Sequence, residues 1–389
     1  MDVALWVIVV GIGVLGSWYA IFGGLKSVAV SDTFNGVGLL IGGLAIPFLA
    51  LAALGDGSMT AGLSTLMAEK PESLAVLASV DKSGEQVSVP WDTLLTGMMF
   101  IQIFYWSTNQ VIVQRAMGAK SLAEGQKGVL FASAMKLVGP LMLCLPGIIA
   151  LHMPDLIIEK QDQVYGAIVR HVLPDWSLGL FASVLMGSIL SSFNSALNSA
   201  STLFSLQFYK GYINSKASDE EIVSVGKKFG VGVALASIMI APMLAHMQSI
   251  FEYLQKVNGL YSVPIIGIFI LGVGTKHVPA IAAKIGIFVG MGFYAFFTFV
   301  NIQDVPTFFA NENGNLHWLH GYFISFIASV GVMLLIGKMR PKTTEDIAIS
   351  DGNDDAPVDM TPWPKAKIVS CSIIGATVFI YLTLTWAST

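Results

Sequence analysis

Apolar stretches long enough to cross a bilayer recur along this chain, at about 3–21, 32–55, 93–114, 124–152, 177–208, 226–245, 251–273, 280–301, 317–337 and 367–386. A helical crossing needs roughly 20 such residues, and inside hydrocarbon every backbone N–H and C=O must find its partner within the segment. The pattern predicts an all-α, multi-spanning membrane protein of about ten transmembrane helices. Charge supports this: only 12% of residues are Asp, Glu, Lys or Arg, against about 25% in a soluble domain. In water, so little charge would leave large apolar patches exposed. Polar breaks at 56–92, 153–176, 209–225, 302–316 and 338–366 separate the spans, the last reading as a flexible loop around DGNDDAPVD and TPWP.

Basic residues orient the layout. With the connection between the first two spans in the cytoplasm, that side holds Lys26, Arg115, Lys120, Lys127, Lys210, Lys216, Lys227, Lys228, Lys276, Lys284, Lys338, Arg340, Lys342, Lys365 and Lys367, and the outer side only Lys70, Lys82, Lys160 and Arg170. Such a bias fixes orientation and places both termini outside. Trp91, Trp176 and Trp318 then fall at outer boundaries, where an aromatic belt accounts for them. Met1-Asp2 leads straight into VALWVIVV without the basic region or cleavage site of a secretory signal.

Several function classes find no support. Net charge of −4 points to no nucleic-acid partner. No GxSxG, P-loop or HExxH pattern is present, and the Gly-Gly pairs at 23–24 and 42–43 lack a phosphate fingerprint. The chain therefore reads as no enzyme, with no cofactor. Outer histidines such as His152 and His171 have no zinc-like spacing. Cys144 and Cys371 are expected to be packed small residues rather than a disulfide.

The informative residues are polar groups inside spans. Lys136, in FASAMKLVGPLMLCLPG, lies too deep to snorkel easily, so it faces a polar cavity or serves as a tether. Lys256 lies near an outer end and reads as interfacial. Asp32 opens the second span, where a helix N-terminus favours an acid; capping and ion passage both explain it. Ser188, Ser191, Ser192, Ser195 and Ser199 fall along one face of the fifth span. That face serves either tight helix packing or cation binding by hydroxyls and carbonyls. In the third span Gln102, Tyr105 and Trp106, followed by Ser107, Thr108, Asn109 and Gln110, suit a neutral polyol or hydrogen bonds between helices. Gln255 adds an amide in the seventh span. Asn258-Gly259 and Pro264 there, and Pro140 and Pro146 near Lys136, are expected to interrupt helices, a transporter feature.

These residues carry a family resemblance. The chain resembles the sodium:solute symporter family through YAIFGGLKSVAVSD at 19–32, FYWSTNQVIVQRAMGAKSLAEGQKG at 104–128, MKLVGPLMLCLPGIIA at 135–150 and SSFNSALNSASTLFSLQFYK at 191–210, and looks nearest to its bacterial sugar-transporting branch. The resemblance implies sodium ligands at Ser191 and Ser192 and, through its carbonyl, Ser188, with Asp32 on the sodium exit route. It implies solute contacts at Gln102, Lys136 and Gln255, with Tyr105 as an inner gate and Trp106 beside it. Two positions depart from the usual pattern: Ser31 for threonine and Asn35 for glutamine.

The resemblance also implies an inverted-repeat fold, and here a partial one. Residues 1–55 correspond to the last two helices of a first repeat, 93–273 to a complete second five-helix repeat, and 280–389 to three C-terminal helices. The family's first four helices are expected to be missing, leaving half a sodium site and a chain inactive by itself. The implied activity is sodium-coupled symport of a sugar or related polyol by alternating access in a bacterial inner membrane. The partners are sodium, the solute and the lipid bilayer. Other solutes on the same scaffold are proline, pantothenate, myo-inositol, a sialic acid or an anion; a sensor without transport is a third class.

Overall fold

The computed structural model describes residues 5–69, 71–74, 89–156, 158, 160–247, 249–275, 277–300, 302–303, 305–306, 309–311, 314–341 and 359–387, with backbone alone at 5, 19–29, 72, 245–246 and 387. Lys70, Lys82, Lys276 and Lys342 of the charge balance, and most of the loops over 75–88 and 342–358, lie outside the described residues. The described elements are helical apart from two isolated bridges, Ser121–Asp359 and Ala310–Leu316. The α-helices are α1 (Leu5–Leu54), α2 (Met59–Glu69), α3 (Met99–Ser107), α4 (Gln110–Met117), α5 (Leu122–Lys136), α6 (Gly139–Ala150), α7 (Val164–Val172), α8 (Asp175–Leu203), α9 (Asp219–Ile240), α10 (Ile250–Gly274), α11 (Ala280–Phe299), α12 (His320–Met339) and α13 (Ala366–Ala387). Among the described residues eight helices are long and apolar enough to cross a membrane, and Trp6–Trp18 and Leu94–Ser107 are shorter apolar helices. The protein is a multi-pass membrane protein.

Three stretches differ from the sequence reading. The first two expected spans, apolar over Trp6–Trp18 and Val30–Leu54, are joined by helical backbone into α1, which is not straight, since Gly16 packs on Leu190 and Asn35 on Gly187 of the same neighbouring helix. The only breakers between them are glycines, which cost a helix about 1 kcal/mol each and do not end it as proline does. Asp32 therefore sits inside a helix, and N-terminal capping does not explain it. Second, α10 runs unbroken through Asn258, Gly259 and Pro264. Third, the expected span over 93–114 is divided: a π-helix at Leu94–Met98 leads into α3, and α4 restarts at Gln110. The interruption expected near Pro140 does occur, between Lys136 and Gly139, whereas Pro146 lies inside α6. α9 begins well before its apolar run because Ser218 caps it, its Oγ accepting from Glu221 N at 3.2 Å.

Packing divides the chain into two units. One comprises 1–69 and 135–250, the other 70–134 and 251–389. Each takes part of the 93–273 stretch that the resemblance assigns to one repeat. In the first unit α1 packs on α8 through small residues: Gly38 faces Val184, and Gly42 faces the Phe181 ring. In the second unit Phe100, Ile101, Phe104, Val263, Ile266, Tyr294, Trp318, Leu319 and Tyr322 form the core. Trp318 thus belongs to the core, with Lys256 Nζ 5.7 Å from its ring centroid, rather than to an aromatic belt. Trp91 and Trp176 remain exposed. Both cysteines are exposed rather than packed. In a membrane an exposed apolar face is lipid-facing, so a small hydrophobic side chain there needs no protein contact.

Candidate functional site

The serine face of α8 lies in the first unit. Ser188 Oγ donates to Val184 O (3.0 Å), Ser192 Oγ to Ser188 O (3.2 Å) and Ser195 Oγ to Ser191 O (2.7 Å). A hydroxyl that gives its proton to the carbonyl one turn back keeps its lone pairs outward, available to a cation. Ser188 and Ser191 are half-buried and Ser192 is exposed, while Ser195 and Ser199 are buried. The face thus divides into an accessible upper part and a packed lower part.

α1 meets this face through a polar contact. Asn35 Nδ2 donates to Gly187 O at 3.0 Å and lies 3.4 Å from Ser31 Oγ. Gly187 leaves no room for a Cβ, because the Asn35 carboxamide occupies that position. Asn35 faces Gly187 and Gly38 faces Val184, so the two helices run antiparallel here. Half-buried Asp32 lies one turn before Asn35 on α1. Asp32 and the three serines all belong to the first unit. The structure also adds Asn35, which the sequence reading treated only as a departure from a pattern. Lys136 belongs to the same unit; it is exposed and closes α5, where a cation complements the carbonyl end of a helix.

Gln102, Tyr105, Trp106 and Gln255 belong to the second unit. Phe100, Ile101 and Phe104 turn into its core, which leaves Gln102, Tyr105 and Trp106, three and four residues apart, on the opposite side of α3. Tyr105 and Trp106 pack edge to face, their centroids 5.7 Å apart. Gln102 and Tyr105 are exposed and Trp106 is half-buried.

The polar run that follows ends one helix and starts another. The Thr108 and Asn109 amides both turn back to Phe104 O at 3.0 Å, and Thr108 Oγ1 donates there as well. Ser107 Oγ donates to Ile103 O. Asn109 Oδ1 caps α4 by accepting from Val111 N at 2.9 Å. Ser107, Thr108 and Asn109 thus spend their side chains on backbone at a discontinuity directly beside Tyr105 and Trp106.

Gln255 is half-buried on α10, and its carbonyl accepts from Tyr322 Oη at 2.6 Å. Tyr322 packs edge to face on Tyr294, and the Tyr294 ring fills the space a Cβ would need at Gly259. Gly259 is therefore a packing site for a tyrosine rather than a helix breaker. Lys256 Nζ pairs with Glu252 Oε1 at 2.6 Å. Tyr322 was invisible in the sequence as a site residue because it lies in an otherwise ordinary apolar run.

These arrangements meet a decisive comparison: residues 1–290 match the model of the sodium:solute symporter family. The chain belongs to that family. The "Uncharacterized symporter YidK" of Escherichia coli K12 is 39% identical over 383 residues, covering 97% of this chain and 63% of the relative. A sodium/glucose cotransporter of Vibrio parahaemolyticus is 31% identical over 76% of this chain and 57% of its own length. A sodium/myo-inositol cotransporter 2 of Rattus norvegicus is 27% identical over 74% of this chain and 46% of its own. The chain thus spans roughly half to two thirds of these relatives. In fold it is similar to a solved sodium-coupled sialic acid symporter in a substrate-bound, outward-open state, with TM-score 0.69 and 20% identity, covering 88% of this chain and 69% of that one.

Proposed function

We propose that this chain belongs to a sodium-coupled symporter that carries a sugar or related polyol by alternating access. The observation that carries this reading is the accessible half of the α8 serine face, Ser188, Ser191 and Ser192, where the Ser188 and Ser192 hydroxyl protons are directed to the helix backbone. Dipoles of this kind bind a hard cation without a carboxylate in the first coordination sphere. Sodium would be cargo held by Ser188 O, Ser191 Oγ and Ser192 Oγ, with Asp32 on its route.

Gln102, Tyr105, Trp106 and Gln255, all in the second unit, would contact the solute. Amides suit hydroxyl groups, and aromatic faces suit the apolar side of a pyranose or cyclitol. The names of relatives that carry glucose or myo-inositol fit a neutral polyol. The test is uptake of labelled glucose, galactose and myo-inositol by the full-length protein in proteoliposomes, with and without an inward sodium gradient. Proline, pantothenate and sialic acid serve as competitors. Sodium-driven uptake of a polyol is expected. Uptake indifferent to sodium overturns the coupling, and competition by a non-polyol alone overturns the solute class.

A further inference from the structure

The second unit carries a feature that ion and solute handling do not use. A groove of about 860 Å³ runs between α5 and α13. Its walls include Met117, Leu122, Val129, Leu130 and Cys371, and Lys367 lines it. Its volume lies near the top of the range for ligand sites, roughly 300–1,000 Å³. Both helices begin at the same end. Leu122 N donates to Asp359 O (2.9 Å) and Trp363 N donates to Gln126 Oε1 (2.7 Å), which ties the strap before α13 to the start of α5.

Charge gathers at that end. Lys365 and Lys367 are exposed in and beside the first turn of α13. Lys120 lies between the lining residues Ala119 and Ser121, and Arg115 adjoins lining Ala116. Of the acidic groups nearby, Glu124 is paired with Lys127 at 2.6 Å, and Asp359 accepts from Thr361 N at 2.9 Å. Among the described residues the mouth is therefore net positive, and the basic-residue bias marks it as the cytoplasmic face. The rest of the groove faces lipid. The apolar window of α13 is 0% buried and that of the α5–α6 span 6% buried.

We propose that this groove binds one anionic phospholipid of the cytoplasmic leaflet. Its phosphate sits against Lys365 and Lys367, and an acyl chain lies between α5 and α13. Basic mouths on the cytoplasmic side of transmembrane helices select anionic headgroups, and long basic side chains lay their stems on the apolar wall below. A polar solute has little to bind here, since Gln126 Oε1 is already used by the strap.

The test is native mass spectrometry of the full-length protein, delipidated in detergent and titrated with phosphatidylglycerol or phosphatidylcholine. Phosphatidylglycerol is expected to bind more tightly. The K365Q/K367Q variant should lose about five-fold in phosphatidylglycerol affinity per lysine and leave phosphatidylcholine unchanged. Ser370→Trp, which fills the groove, should abolish retention of both lipids. Equal affinity for the two lipids, no response to either variant, or no retained lipid because protein occupies the groove would each overturn the proposal.

Discussion

Ser192 shows how one hydrogen bond sets what an oxygen can still do. Its proton goes to Ser188 O, so Ser192→Ala removes a lone-pair donor and also the group that orients the neighbouring carbonyl. A contact to a charged group is worth roughly 1.5–3 kcal/mol. The sodium concentration giving half-maximal uptake should therefore rise by about ten-fold or more in S192A. Uptake of solute at saturating sodium should be largely retained, and a sodium titration of initial rates reads both. An unchanged half-saturation would remove Ser192 from the cation site. His317 offers a second residue-scale expectation. It lies just before α12, and burial, with Lys256 and His320 close by and Glu252 partly opposing, lowers its pKa from 6.5 to about 4. Leu319 N donates to its Nδ1, a role open only to the neutral ring. Between those pH values the unfolded chain holds a proton that the folded chain does not. The stabilisation is therefore full above about pH 6.5 and fades as pH falls toward 4. The unfolding midpoint in detergent should drop between pH 7 and 4.5, and His317→Asn should flatten that slope; parallel slopes would assign the pH dependence elsewhere.

Elements act here by holding one another. α12 fixes the carbonyl of Gln255 through Tyr322, and α11 supports that tyrosine through Tyr294 seated on Gly259. Tyr322→Phe keeps the packing and deletes one buried hydrogen bond, so the solute KM should rise about five-fold for roughly 1 kcal/mol. Sodium half-saturation and protein yield should be unchanged; equal loss of sodium affinity would mean general loosening instead. These supports explain which parts of the fold were legible in the sequence. Hydropathy placed the spans because lipid demands long apolar helices. It misplaced the breaks because a break is decided by what packs beside it. Pro264 stays within α10, where it packs on Gly290 of α11, and transmembrane helices tolerate proline when neighbours compensate. Asn109 breaks the third span because its side chain can cap a new helix, a signal present in the sequence but read there as solute lining. The serine face could be read from its spacing. Asn35 and Tyr322 could not, since each matters through a backbone carbonyl supplied by a distant helix.

At the scale of the molecule, the expected sodium residues Asp32, Ser188, Ser191 and Ser192 fall in one packing unit, and Gln102, Tyr105, Trp106 and Gln255 fall in the other. Of the expected solute residues only Lys136 falls in the first unit, at the break in its span and next to the boundary at 134–135. Symport requires that this division be bridged energetically: sodium must change the affinity for solute, and solute must change the affinity for sodium by the same factor. Couplings of this kind run at about 5- to 150-fold. Binding of labelled solute at zero and at saturating sodium gives one factor. A sodium titration at zero and at saturating solute gives the other. The two factors should agree in the full-length protein. S192A should weaken sodium binding while leaving the pair equal to each other. Factors of one in the wild type would mean that the two sets of residues do not communicate, and the symport reading would fall even if each set bound its ligand.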